Sequence, residues 1–274
     1  MPSETIQESM ASMHSFENES SAHPLYRGVI NDWDEMENLW KYISDTVGLT
    51  SLLPDGTINM NAAEATSIFL VESIRTTPAE RDKWAKLFFE VSHAPSICFM
   101  NSATLSIFAS GRTSGLAIEC GAGCTSTVPI FEGFPLKHSV ISVDFGGQDM
   151  SYQLRGLFHE RNIPVDMYSA MIVKERLAFT AGYQSSILPQ TTALTTSFCL
   201  PDGNDVTVDS KIFSACTESL FFNEADSSGG GLVNQIHESI SLCDESVKKD
   251  LFGSMILSGG SSMLPGDPIH PSFE

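Results

Sequence analysis

Nowhere in this 274-residue sequence does an uninterrupted apolar stretch approach the ~18 residues that a membrane-spanning helix requires. Residues 1–23 hold no apolar core segment either, so no secretory signal is expected there. Basic residues are scarce: 15 Lys and Arg stand against 34 Asp and Glu, for a formal net charge of −19. That balance excludes a nucleic-acid groove, which needs cations to displace counterions. It also disfavours adhesion to anionic membranes. Basic proteins remain as partners, although a solubilising surface accounts for the same charge. The six cysteines, Cys98, Cys120, Cys124, Cys199, Cys216 and Cys243, form no CxxC pair and are irregularly spaced. Neither a zinc site nor a disulfide framework is expected, and reduced thiols fit a cytosolic or nuclear compartment.

The apolar share of 42% and the charged share of 18% are those of a globular protein, and the length suffices for one large or two modest domains. Residues 1–23, rich in Ser, Glu and Met without periodicity, read as a disordered tail. Asp32 then precedes a helical pattern in which Met36, Leu39, Trp40 and Ile43 share one face, with Asp34 and Glu35 in the first turn. Residues 67–72 (SIFLVE) read as a buried strand. Thr77, Pro78 and Glu80 spell a helix start with a capping box, and Trp84, Leu87, Phe88 and Val91 form the buried stripe behind it. Residues 97–99 predict a second strand, and 101–110 a helix.

Beyond Gly111 three β segments are expected, at 115–120, 124–129 and 139–144. Gly121 and Gly123 punctuate the first hairpin, Glu132 and Gly133 the second. Helices follow at 148–160, with Met150, Leu154, Leu157 and Phe158 inward, and at 167–179. Pro201, Asp202 and Gly203 read as a turn between two short strands, and residues 226–231 (DSSGGG) as a surface loop. Val233, Ile236, Ile240 and Cys243 mark a further helix, and 255–257 a strand that enters Ser258, Gly259 and Gly260. This alternation argues an α/β fold.

Several segments resemble the actin family. Residues 31–37 (NDWDEME) are similar to its N-W-D-D-M-E, 105–113 (LSIFASGRT) to L-S-L-Y-A-S-G-R-T, and 127–133 (TVPIFEG) to T-V-P-I-Y-E-G. Residues 144–149 (DFGGQD) are similar to D-L-A-G-R-D, 174–177 (KERL) to K-E-K-L, and 257–266 (LSGGSSMLPG) to L-S-G-G-T-T-M-Y-P-G, while 200–203 repeat L-P-D-G. They keep the family's order at closely similar spacings from about residue 24 to 266. The resemblance implies two RNase-H-like lobes with ATP and a divalent metal in the cleft between them. It assigns 24–111 to a remnant of the first lobe and 112–266 to a nearly complete second lobe. An outer subdomain would lie at about 161–225, with a tail at 267–274.

The same resemblance locates the chemistry. A triphosphate needs donor-rich loops on both sides, a metal held by acids, and polar groups that orient the attacking water. The first glycine-rich phosphate loop has no counterpart in this sequence, and the second, D-S-G-D-G in the family, reads Glu119, Cys120, Gly121, Ala122, Gly123. Ala122 stands where the family has a metal-associated acid, Ser102 where it has the catalytic Gln, and Ser126 where it has the water-orienting His. Gly121 and Gly123 keep the turn that faces phosphate. Lys174 and Glu175 match the pair beside ribose and adenine, and Gly259 and Gly260 the glycines beneath the base; Leu264 and Met171 depart from the pattern there. No ATPase activity, no metal and weak ATP binding at most are expected.

The plug region of the second lobe, at about 222–235, is polar here, so self-assembly into filaments is not expected. The expected function is that of a non-catalytic, protein-binding subunit of a cytoskeletal complex in the cytoplasm, with a nuclear assembly as the alternative setting. A weak ATP-binding switch and a shortened form of a longer actin-like protein are the rival readings.

Overall fold

The computed structural model describes residues 23–47, 51–52, 58–59, 66–180, 195–200, 203, 205–209, 211–221 and 231–265. The expected tails, most of the 226–231 loop and part of the plug region lie outside them. The chain opens with a hairpin, β1 (Leu25–Tyr26) and β2 (Val29–Ile30). Its turn residues Arg27 and Gly28 both take positive φ, 52° and 78°, which twists the strands back on each other. Helix α1 (Trp33–Thr46) starts as expected, with the Asp32 carboxylate accepting from the Glu35 amide. Its buried face differs from the periodic reading. Met36 and Ser44 are buried, whereas Leu39 and Ile43 are each 39% exposed. The neighbour sets the face here: Trp33 meets Trp84 edge-on at 5.4 Å, and Trp40 meets Phe88 at 4.7 Å.

A two-residue pair, β3 (Ser51–Leu52) and β4 (Ile58–Asn59), leads to β5 (Ile68–Glu72). Helix α2 (Pro78–Lys86) follows, with Thr77 and Glu80 in the reciprocal cap that the sequence spells. It continues into a π-helical turn (Leu87–Val91), which rotates Val91 out to solvent instead of into the stripe. Strand β6 (Ile97–Asn101) pairs in parallel with β5. One face of this pair, Ile68, Leu70, Ile97 and Phe99, packs on Trp84, Leu87 and Phe88. The other face is open: Phe69 is 53% and Val71 51% exposed, so the strand expected to be buried is covered on one side only. Arg81 grips the buried Glu72 carboxylate at the end of β5, with Nε at 2.8 Å.

Asn101 caps helix α3 (Ser102–Ala109) by accepting from the Ala103 amide. That helix lies on a five-stranded sheet built from β7 (Gly115–Cys120), β8 (Thr125–Phe131), β9 (Phe134–Pro135), β10 (Ile141–Val143) and β13 (Met255–Ser258). The order is β10-β8-β7-β13, with β9 on β8. Only β13 runs parallel to its neighbour β7. Glu132 and Gly133, both at positive φ, make the β8–β9 turn as expected.

Alternation splits the sheet. Ala117, Val128 and Ile130 face Ala103 and Ile107 of α3, whereas Leu116, Ile118 and Cys120 face the largest core. That core is completed by α4 (Gly147–His159), α5 (Met167–Leu177), the hairpin β11 (Thr195–Cys199) and β12 (Asp205–Asp209), α6 (Lys211–Phe221) and α7 (Leu232–Ser241). Met150, Leu154 and Phe158 of α4 are buried there as expected, and Leu157 is partly so. In α7 the buried face is Leu232, Gln235, Ser239 and Ile240, and Val233 is 59% exposed. Helix α8 (Glu245–Phe252) buries Leu251 and hands the chain to β13. A sheet covered on both faces by helices is the α/β architecture that the element order implies.

Candidate functional site

The expected nucleotide-facing loop lies at the ends of β7 and β8. The Gly121 amide donates to the Cys124 carbonyl at 3.0 Å and closes the turn. The N-terminus of α4 presses on that loop: the Gly147 amide donates to Gly121 O at 2.9 Å and the Gln148 amide to Ala122 O at 2.8 Å. A Cβ on Gly146 would stand 2.5 Å from Ala122 O, so no side chain fits between helix and loop. A helix N-terminus can serve as an anion site only while its amides are open. Here the first of them are spent on the loop's own carbonyls.

Arg27, at the tip of the β1–β2 turn, fills the other side. Its guanidinium donates to Gly123 O at 2.9 Å and takes the Asp149 carboxylate in a fork, with Nη2 to Oδ1 at 2.6 Å. Asp149 is almost fully buried and also accepts from the Gly146 amide at 2.8 Å. The hydrogen bond to Asp149 pushes the Arg27 pKa further above its already high ordinary value, against the opposing effect of burial. Arg75 lies alongside. Its Nε donates to Ser142 Oγ at 2.7 Å, its Nη1 donates to Arg27 O at 3.2 Å, and it pairs with Asp144.

The remaining polar side chains of the cleft bond to one another. Ser102 Oγ donates to Glu119 Oε2 at 3.1 Å, and Ser126 and Ser142 share a 2.8 Å hydrogen bond. Burial pushes the Glu119 carboxyl above its ordinary value, partly offset by Ser102. Burial likewise pushes the Cys124 thiol up, while Arg75 pulls it down. Among the described residues no group of three or more His, Cys, Asp or Glu side chains could hold a metal ion.

Of the six residues singled out from the sequence, three meet at one corner. Lys174 Nζ donates to Gly147 O at 2.7 Å, Ser261 Oγ donates to Gly121 O at 3.3 Å, and Gly259 packs on the backbone of Cys120. Burial lowers the Lys174 pKa, and neighbouring Glu175 opposes that. Glu175 itself is exposed, Gly260 faces open space, and Gly123 lies apart under Arg27. The sequence reading missed Arg27 and Arg75, and it quoted Asp144 and Asp149 only as the ends of the 144–149 motif. The one early signal for the arginines is that cations are rare in this acidic chain, so each one retained near a motif invites a search for its carboxylate.

The family model described as Actin matches residues 4–185 and 168–267. The chain belongs to the actin family. A curated actin-family relative, centractin of Schizosaccharomyces pombe (strain 972 / ATCC 24843), is 31% identical over 251 residues. The alignment covers 89% of this chain and 63% of centractin, so the chain spans less than two thirds of that relative's length. Actin-family membership implies ATP and a divalent metal, and the residues present do not fit them as a triphosphate cradle. The loop carbonyls face the helix amides, the Gly123 carbonyl faces Arg27, and Ala122 stands where an acid would meet the metal. Among the described residues no helix is long and apolar enough to cross a membrane.

Proposed function

We propose that this actin-family chain is a non-catalytic subunit that acts by binding other proteins, on the cytoskeleton of the cytoplasm first of all, and that it does not turn over ATP. The observation that carries this reading is the seating of Arg27 on Gly123 O and Asp149, where the second phosphate loop of the family would face its ligand. Catalysis of phosphoryl transfer is almost entirely positioning and charge stabilisation, so it fails when the positioned groups are committed elsewhere. Ser102 and Glu119 are committed to each other, and Ser126 to Ser142. A serine hydroxyl is also too short to orient the water that a Gln or His side chain reaches.

The formal charge of −19 favours partners with basic surfaces, met by long-range steering. Phosphate release from the purified chain with Mg-ATP should stay at background. Release above background that Glu119→Gln abolishes overturns the reading. Affinity capture from native tissue should return cytoskeletal proteins at low salt; a set of chromatin proteins moves the site of action to the nucleus.

A further inference from the structure

Two guanidinium groups, those of Arg27 and Arg75, tie the N-terminal segment to the loop after β7 and to the start of α4. Arg27 and Arg75 both come from the first 75 residues; Arg27 reaches the first turn of α4 and Arg75 the segment that leads into it. Their partners lie 122 and 69 positions away in sequence. Asp149 is nearly solvent-free and receives three donors, two from Arg27 and one from the Gly146 amide. Asp144, by contrast, is 66% exposed. The two pairs are coupled, because Arg75 donates to the carbonyl of Arg27 and, through Ser142, joins the hydroxyl pair with Ser126. Gly28, beside Arg27 in the turn, lies against Cys124 and Ser73, which completes the contact.

We propose that Arg27–Asp149 and Arg75–Asp144 form a latch that holds the N-terminal segment closed on the Gly121–Gly123 loop and α4 without any nucleotide. Arginine suits the task because its fork stays charged at every relevant pH and binds a carboxylate through two parallel hydrogen bonds. The inner pair sets the closed state, since a buried carboxylate deprived of its partner is strongly disfavoured. The outer pair, open to solvent, tunes it with ionic strength. The latch rests on the same Arg27 contacts as the non-catalytic reading but is tested apart from it, since amide exchange without nucleotide reads the latch and phosphate release reads turnover.

The test is hydrogen–deuterium exchange on the full chain, followed at the amides of Gly147 and Gln148, which donate into the loop. In the parent these amides should exchange at the same rate with and without Mg-ATP. The double variant Arg27→Gln/Arg75→Gln should exchange there at least about tenfold faster, with unchanged far-ultraviolet circular dichroism, and Arg27→Lys should fall between the two. Exchange in the double variant within twofold of the parent overturns the latch. So does a tenfold slowing of the parent by Mg-ATP, which would make nucleotide the closing agent. If the double variant loses its dichroism, Arg27→Lys alone decides, because it weakens the inner pair while leaving the buried Asp149 a cationic partner. A local rise at the same amides supports the latch, and no rise overturns it.

Discussion

Gly259 lies against Cys120 so closely that a Cβ on it would meet the Cys120 carbonyl well inside 3.0 Å, and its φ of 96° is one that side-chain-bearing residues rarely adopt. Both the strain and the clash act on backbone that cannot step aside, because Cys120 ends a central strand of the five-stranded sheet. Gly259→Ala should therefore cost about 3 kcal/mol or more. Gly260, one residue on, has nothing within 4 Å of the same notional atom, and Gly260→Ala should stay within about 1 kcal/mol of the parent. Urea unfolding of the two variants side by side measures the difference, and equal midpoints would remove the close approach as an explanation.

Phe88 is fully buried between two tryptophans, stacked on Trp84 at 5.2 Å and edge-on to Trp40 at 4.7 Å. Phe88→Ala should cost about 3–5 kcal/mol through lost transfer energy and the cavity left behind. Its neighbour Phe89 is exposed, and Phe89→Ala should cost less than about 1 kcal/mol. Thermal unfolding followed by tryptophan fluorescence reads both, since the protein's three tryptophans, Trp33, Trp40 and Trp84, all lie in or beside this cluster.

The Glu119 carboxyl is raised by burial above its ordinary value of 4.5. Below that value both folded and unfolded chains carry it protonated, and burial costs nothing. As pH rises from that value toward the raised folded one, the unfolded state ionises where the folded state resists, so stability falls across that window and then levels off. Glu119→Gln removes that loss and can keep the bond from Ser102. The gain in Tm over the parent should be near zero around pH 4 and grow toward pH 7. A gain that shrinks with rising pH would contradict the buried, poorly solvated setting.

Thiol chemistry should divide the cysteines sharply. Cys98 and Cys199 are exposed, whereas Cys120, Cys216 and Cys243 are buried, and burial pushes the Cys216 thiol up to about 12. Because the thiolate is the reactive form, an aromatic disulfide reagent at pH 8 should modify Cys98 and Cys199 first and Cys216 only on unfolding. Mass spectrometry of partly labelled chain gives the order, and early labelling of Cys216 would contradict its packing.

Much of the local structure was legible in the sequence because its causes are local. Thr77, Pro78 and Glu80 specify a helix start within four positions, and the cap forms as written. Glu132 and Gly133 announce a tight hairpin, and both take the backbone conformation it needs. Helix faces were less legible. Leu39, Ile43 and Val233 have the right period, but the neighbouring tryptophan cluster and the sheet choose which part of an amphipathic face is covered. Two helices, α6 and α8, escaped although Asp209 and Ser210 precede the first and Asp244 and Glu245 open the second. At the candidate site the glycines and Lys174 were visible as motif residues. The arginines were not, because nothing near position 27 in the chain hints at a carboxylate 122 residues later.

That separation bears on the protein's birth as well as its resting shape. A ribosome must release residue 149 before the turn at 27 and 28 can find its carboxylate, so that turn waits for the 122 positions that separate Arg27 from Asp149. During that interval Phe69 and Val71, solvent-facing even at the end, have no neighbours from later in the chain to shield them. Contacts of such long span form late and slowly, so closure at the turn of Arg27 should be among the slower steps of folding.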